Sequence, residues 1–130
     1  MNKILIVDDQ PAVRELLTTT LEIGNYKIFS TEDSVEAIKL AKIENPDLIL
    51  LDVMMPKSEF DGLEVCRRLK QDSSTTDITI IMLSAKGQRM DIEAGLNAGA
   101  DDYVYKPFSP ISLIEKVESI LLHKNGVQER

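Results

Sequence analysis

Short apolar runs alternate with amphipathic segments along almost the whole chain. Five runs rich in aliphatic or aromatic residues predict strands at Ile4–Val7, Tyr26–Phe29, Leu48–Leu51, Ile78–Leu83 and Tyr103–Tyr105. The first, third and fourth runs are nearly continuous in Ile, Leu and Val, which is typical of strands covered on both faces. We therefore expect a parallel sheet in which these three strands are buried.

The segments between the runs repeat small and apolar residues at helical spacing, so each predicts a helix with one face turned to a sheet. The stripes are Val13, Leu16, Leu17, Thr20 and Leu21; Ser34, Ala37, Ile38 and Ala41; Gly62, Val65, Cys66 and Leu69; Ile92, Gly95, Leu96 and Gly99; and Leu113, Val117, Ile120 and Leu121. Polar residues also mark the expected beginnings of several of these helices. Asp33 with Glu36 and Asp61 with Glu64 have capping-box spacing, and Ser109 precedes a proline.

Strict alternation of strand and helix predicts an α/β fold, a three-layer α/β/α sandwich around a five-stranded parallel sheet with five helices. The flavodoxin-like strand order 2-1-3-4-5 suits five such strands. The length of 130 residues favours one domain. We assign it to residues 1–123 and read residues 124–130 as a polar tail or linker stub.

Charge and composition exclude several classes of protein. The formal net charge of −7 argues against direct nucleic-acid binding, and no apolar run is long enough for a membrane span or a signal peptide. The single cysteine, Cys66, excludes a disulfide-stapled secreted scaffold. We therefore expect a cytoplasmic protein.

Acidic, hydroxyl and amine side chains follow the predicted strands at one edge of the sheet. Asp8-Asp9 end the first strand, Asp52 the third, Ser84 the fourth and Lys106 the fifth. Ligands of open parallel sheets bind at the carboxyl ends of the strands, where the strand order reverses. Two like charges 4 Å apart cost about 4 kcal/mol at an effective dielectric of 20, so either one acid stays protonated or a cation lies among the carboxylates. Oxygen ligands favour Mg²⁺, Mn²⁺ or Ca²⁺, and the lysine adds a second positive charge suited to a phosphoryl group.

Four segments of the chain resemble the receiver domain of two-component response regulators. They are Ile4–Asp9, Asp47–Pro56, Leu83–Ala85 and Tyr103–Phe108, and the similarity covers residues 3 to about 122. The family that the chain resembles includes chemotaxis-type regulators. The resemblance implies a phosphorelay step. In that step a sensor histidine kinase or phosphotransfer protein donates a phosphoryl group to Asp52.

The same resemblance implies the roles of the other residues at the site. Asp9, Asp52 and the backbone carbonyl of Met54 would ligate Mg²⁺ or Mn²⁺, and Asp8 would act mainly through a bound water. Lys106 would pair with the phosphoryl oxygens. Ser84 would move to hydrogen-bond the phosphoryl group.

The resemblance also implies how phosphorylation would be transmitted. Tyr103 would swing inward behind Ser84, and the Lys106-Pro107 peptide bond would be cis. The surface formed by the fourth helix, fifth strand and fifth helix would carry the output. Such a protein is a phosphoacceptor that dephosphorylates itself and has no separate substrate. Its partner would be a downstream protein or an output domain outside the sequence, with a homodimer on phosphorylation as a further possibility.

One segment departs from the family pattern. The loop Lys57–Asp61 is longer than the usual turn after the third strand and lacks its first glycine. Because it borders the expected metal site, it bears on the geometry there and on access of the kinase.

Simpler roles remain open for several of these residues. Asp8 can cap a helix, Ser84 can belong to a turn, Lys106 can be a surface amine and Tyr103 can pack on a helix. Cys66, Met54 and Met55 are expected to pack in the core and His123 to be solvated.

Other functions also remain open at this point. They are a metal-dependent phosphohydrolase with an aspartate nucleophile, a nucleotide- or flavin-binding module, and a receiver that serves only as a docking surface. The residue two after Asp52 is Met54 rather than the acid usual in such hydrolases, and no glycine-rich phosphate loop is present.

Overall fold

The computed structural model describes residues 1–85 and 89–124. Strands and helices alternate along the chain, and they are β1 (Asn2–Val7), α1 (Pro11–Leu21), β2 (Tyr26–Thr31), α2 (Ser34–Glu44), β3 (Leu48–Asp52), α3 (Gly62–Gln71), β4 (Thr79–Ala85), α4 (Arg89–Asn97), β5 (Asp102–Lys106) and α5 (Pro110–Lys124). None of the helices in these ranges combines the length and apolarity needed to cross a membrane.

The strands form one parallel sheet in the order β2-β1-β3-β4-β5. The predicted fold class and strand order are therefore confirmed. The order reverses direction beside β1, so the loops after β1 and β3 lie next to each other at the carboxyl edge.

Alternate residues of the inner strands supply two separate cores. Leu5, Ile49 and Ile80 face one layer, with α2 and α3 packed over them. Ile4, Leu48 and Ile81 face the other, with α1 and α5 over them. Each of these strand side chains is at most 1% exposed. Burial on both faces is the reason why their sequences are aliphatic without a polar break.

The helix ends agree with the sequence only in part. The Asp33 carboxylate accepts from Glu36 N and the Asp61 carboxylate from Glu64 N, as predicted. The return bonds of a capping box are replaced, because Glu36 accepts from the Thr31 hydroxyl instead. In α1 the buried face is narrower than the predicted apolar stripe, because Leu16 is 48% exposed.

The remaining differences concern where elements end. β2 continues through Ser30 and Thr31, which pair with Ile6 and Val7. β4 begins at Thr79, one residue later than predicted, and ends at Ala85, one residue beyond Ser84. α5 includes Lys124, whose amine donates to the Asp77 carbonyl oxygen at 2.8 Å, and so extends past the predicted boundary. The rest of the predicted tail, residues 125–130, lies outside the described residues.

Candidate functional site

The fold brings the predicted acidic residues and the lysine together at the carboxyl edge of the sheet. Carboxylate oxygens of Asp8, Asp9 and Asp52 all lie within 4.8 Å of one another. Lys106, the last residue of β5, reaches across to two of them. Residues from three strands or strand ends therefore converge on one point, as the topology predicted.

Asp8 is the most firmly held of the acids. It is fully buried. One carboxylate oxygen accepts from Gln10 N at 2.9 Å, the other accepts from Lys106 Nζ at 2.8 Å, and its backbone carbonyl accepts from Arg14 at 2.7 Å. Asp8 is thus a fixed negative charge directly after β1, which contradicts a role as a cap of α1, whose N-cap is Gln10.

Lys106 is held between two carboxylates. Its side chain is 20% exposed, and Nζ lies 2.8 Å from Asp8 Oδ2 and 3.3 Å from Asp52 Oδ1. Burial works to lower the pKa of Lys106, but the hydrogen bond to Asp8 and the charges of Asp52 and Asp8 outweigh it, so the pKa is raised. The ammonium is therefore charged at every physiological pH and is not a free surface amine. The Lys106-Pro107 peptide bond is cis, as the resemblance implied.

Asp52 is buried at the end of β3, with 6% of its surface exposed. Burial and the charge of Asp8 raise its pKa to about 6, against the lowering effects of Lys106 and of the hydrogen bond from Met54 N. The carboxylate is thus ionised at neutral pH but carries an unfavourable charge that an additional cation would stabilise.

The donor set at this point suits a hard divalent ion. Its ligand atoms are carboxylate oxygens, and no His or Cys belongs to the cluster found among the described residues. Oxygen donors are those preferred by Mg²⁺ and Mn²⁺. The pKa of Asp52 is raised by burial and by the charge of Asp8, so a cation bound here would favour its ionised form. The residues present therefore fit the expected ion.

A cavity of about 750 Å³ opens beside the carboxylates and is lined by Asp9, Gln10, Asp52, Met54, Lys106 and neighbouring residues. Met54 was predicted to pack in the core, but its side chain is 59% exposed, so that prediction is wrong. Met55, at 2% exposure, packs in the core as predicted. Cys66 is fully buried, as predicted, and burial raises the pKa of its thiol to about 11.

A glycine lets α3 begin directly against the end of β3. A Cβ atom at Gly62 would lie 1.9 Å from the backbone oxygen of Asp52. Gly62 N also donates to the Val53 carbonyl at 2.9 Å, and Val53 N donates to Leu83 at 3.1 Å. The backbone around Asp52 is thus fixed from two sides.

Two residues with implied switching roles lie on the neighbouring strands. Ser84 is 2% exposed and is paired in register with Tyr105. Tyr103 is half-buried against the core, and its ring meets Tyr105 edge-on with centroids 5.5 Å apart. These positions agree with packing roles and leave the switching roles as predictions. His123 is exposed on α5, and its Nδ1 lies 2.9 Å from the Ser119 carbonyl oxygen.

Sequence reasoning placed the loop Lys57–Asp61 beside the expected metal site, but it did not identify what holds that loop against the cavity. Pro56 and Lys57 line it, and Ser34 and Ser58 anchor their loop to the start of α2. The unusual length of the loop was the only sequence signal, and it did not indicate what the loop contacts.

Comparisons with known proteins agree with this geometry. Residues 4–118 match the family model described as the response regulator receiver domain. The phosphate regulon transcriptional regulatory protein PhoB of Pseudomonas aeruginosa is 45% identical over 118 residues, which are 91% of this chain and 51% of that protein. The DNA-binding dual master transcriptional regulator RpaA of Synechocystis is 42% identical over 99% of this chain and 53% of its own length. The chain thus spans about half the length of these curated relatives.

Solved structures give the same result. The chemotaxis response regulator CheY4 of Vibrio cholerae has a TM-score of 0.84 at 28% identity, covering 92% of this chain and 98% of that one. The receiver domain of the Francisella response regulator 1452 has a TM-score of 0.84 at 30% identity, covering 95% of this chain and 99% of that one. Fold, acidic edge and family match all agree, and the chain belongs to the receiver domains of two-component response regulators.

Proposed function

We propose that this receiver domain is a phosphoacceptor switch whose acceptor is Asp52. One observation carries the proposal: the Asp52 carboxylate lines a cavity beside the ammonium of Lys106 and close to the carboxylates of Asp8 and Asp9. A nucleophilic carboxylate next to a lysine ammonium and a site for a divalent ion is suited to phosphoryl transfer.

The transfer itself needs little beyond positioning. An Asp52 carboxylate oxygen attacks the phosphorus of a phosphohistidine, the P–N bond breaks, and the imidazole leaves with the bonding electrons and takes up a proton. The product is an aspartyl phosphate. Lys106 Nζ, already between Asp8 and Asp52, hydrogen-bonds a phosphoryl oxygen and offsets its charge.

Asp8, Asp9, Asp52 and the Met54 carbonyl are the residues that would hold Mg²⁺ or Mn²⁺. The bound ion supplies Lewis-acid charge that offsets the phosphoryl oxygens. Asp8 contributes through its fixed, fully buried carboxylate.

The new charge of about −1.5 to −2 on Asp52 provides the signal. It draws Ser84 and Lys106 toward the phosphoryl group, Tyr103 follows, and the α4–β5–α5 surface changes its population between two states. The donor is a sensor histidine kinase or phosphotransfer protein in the cytoplasm. The receiver of the signal is a downstream protein or output domain, or a second copy of the domain, and self-dephosphorylation resets the switch.

Intact-mass spectrometry tests the acceptor directly. The protein is incubated with acetyl phosphate and Mg²⁺ and compared with Asp52→Asn and with Asp61→Asn, which exchanges one good helix cap for another. We expect one added phosphoryl group in the wild type and in Asp61→Asn, and none in Asp52→Asn. Equal labelling of Asp52→Asn, or no labelling of the wild type, would contradict the proposal and favour a docking-only receiver.

A further inference from the structure

The loop between β3 and α3 forms one wall of the acceptor cavity. Lys57 lines this cavity together with Asp9, Asp52 and Lys106. Its side chain is exposed, and no ion pair of Lys57 occurs among the residues that the structure describes. A second lysine therefore contributes to the lining of the cavity, with its side chain exposed to solvent.

The loop that carries Lys57 is attached to the body of the domain. Ser58 Oγ accepts from Ser34 N at 3.2 Å and donates to the Glu32 carbonyl at 3.4 Å. Phe60 N donates to Ser34 Oγ at 3.1 Å, and the Arg68 guanidinium lies 3.9 Å from the centre of the Phe60 ring. Ser34 is fully buried, so the anchor is part of the α2 start and not a surface contact. The residues that directly follow Lys57 are thus held against the start of α2.

Charge balance indicates what this lysine can bind. Three carboxylates against the single ammonium of Lys106 leave an excess of two negative charges, which one divalent ion offsets. An incoming phosphoryl dianion then adds two further negative charges, so the site has a net negative charge even though Lys106 and the ion are shared between the carboxylates and the phosphoryl group. Lys57 is the cation that lines the cavity and is not engaged with these acids.

We propose that Lys57 is a donor-recognising residue, which draws the dianionic phosphoryl group of the phosphodonor into the cavity before transfer to Asp52. This inference rests on the proposed function. The inference concerns recognition of the phosphoryl group, which acyl phosphates and phosphohistidine share, and not recognition of the leaving group. A cleft lined by charge raises the rate of association of an oppositely charged ligand, and salt reduces the effect.

The test compares Lys57→Glu and Lys57→Arg with the wild type, at a Mg²⁺ concentration shown to be saturating for each variant. Lys27→Glu is the matched control, because it makes the same charge change at an exposed site paired with Lys3, at the opposite end of the sheet. Two donors are used, acetyl phosphate and phosphoimidazole, which transfer the same group from oxygen and from nitrogen. The second-order rate constant of Asp52 phosphorylation is measured by intact mass at low and high ionic strength.

We expect Lys57→Glu to lower this rate constant about tenfold with both donors at low salt, with Lys57→Arg and Lys27→Glu within about twofold of the wild type. The difference should shrink at high salt. Equal rates in Lys57→Glu and the wild type, an effect independent of salt, or an effect on acetyl phosphate alone would overturn the inference. A wild type that accepts no phosphoryl group from either donor would instead contradict the proposed function.

Discussion

Asp52 is the residue at which burial and charge oppose each other most strongly. Its pKa is raised to about 6 by burial and by Asp8, although Lys106 lies 3.3 Å away. A carboxylate that is ionised at neutral pH at a cost in free energy is a reactive nucleophile and a ready ligand for a cation. The pKa of Asp52 is thus set first by its burial and then by the charge of Asp8.

Replacing Asp52 by Asn should make the apo fold more stable at neutral pH. Folding raises the pKa of Asp52 from 3.8 to about 6, so the folded chain keeps a proton that the unfolded chain has lost. The contribution of Asp52 to the free energy of unfolding therefore falls as the pH rises from about 4 to about 6 and stays low above that. In EDTA we expect Asp52→Asn to exceed the wild type by about 2 kcal/mol at pH 7.5 and to match it near pH 4. Urea unfolding at both pH values measures this, and a variant less stable than the wild type at pH 7.5 would count against the assigned shift.

Replacing Lys106 by Met should have the opposite effect. It leaves the buried carboxylate of Asp8 without its ion-pair partner and increases the repulsion from Asp52. We expect a loss of about 2 to 4 kcal/mol in EDTA at pH 7.5, partly restored by Mg²⁺. Lys27→Met, which removes an exposed ammonium at the far end of the sheet, should change stability by less than about 0.5 kcal/mol. A loss for Lys106→Met no larger than this control would show that the ion pair contributes nothing.

At the scale of secondary-structure elements, the carboxyl ends of β1, β3 and β5 and the start of α3 hold the site in place. Gly62 allows α3 to begin against the backbone of Asp52, and the loop before it is anchored to α2 through Ser34. The acceptor strand is thus fixed by its own helix and by the loop that borders the cavity.

Gly62→Ala adds only one methyl group, but we expect it to disturb the site strongly. The added Cβ would meet the Asp52 carbonyl oxygen at 1.9 Å, so the end of β3 or the start of α3 must move. We expect a loss of about 2 kcal/mol in the free energy of unfolding, with slower phosphorylation of Asp52. Gly95→Ala is the matched control, since its Cβ would meet only side chains, of which the flexible Met82 is the nearest at 3.1 Å. Equal stabilities of the two variants would contradict the close approach.

The sequence predicted these elements unequally, for physical reasons. β3 was found almost residue by residue, because every one of its side chains is buried. The end of β2 was missed, because Ser30 and Thr31 give no apolar signal although they pair with β1. The contacts of Ser34 with the loop 26 residues later were invisible, because no local pattern links two loops. The prediction that Met54 packs in the core was wrong, because this apolar residue lines the cavity.

At the scale of the whole molecule, strand order does most of the work of assembling the site. Asp8 and Lys106 are 98 residues apart, yet the order β2-β1-β3-β4-β5 brings both to one edge. That edge could be predicted because alternating strands and helices leave few topologies. The ion pairs of Lys106 with Asp8 and Asp52 and the raised pKa of Asp52 could not, because they depend on side-chain distances and burial.

Mg²⁺ should stabilise the whole domain in a pH-dependent way. A ligand that binds only the folded state adds about 2.7 kcal/mol at one hundred times its dissociation constant. The gain should be smaller at pH 5 than at pH 7.5, because the pKa of Asp52 is raised to about 6 and a proton then competes with the ion. Thermal unfolding with increasing Mg²⁺ measures this. Asp9→Asn should reduce the stabilisation by Mg²⁺. Glu59→Gln, which changes an exposed acid in the adjoining loop, should retain it. A larger reduction in Glu59→Gln than in Asp9→Asn would place the ion elsewhere.

The most direct test of the account is to locate the phosphoryl group by chemistry. Borohydride reduces an aspartyl phosphate to homoserine, so protein labelled with acetyl phosphate and Mg²⁺ can be reduced, digested and sequenced by tandem mass spectrometry. The account predicts homoserine at position 52 and at no other aspartate. Homoserine at position 8 or 9, or unmodified Asp52 in protein that carries the added mass, would contradict it.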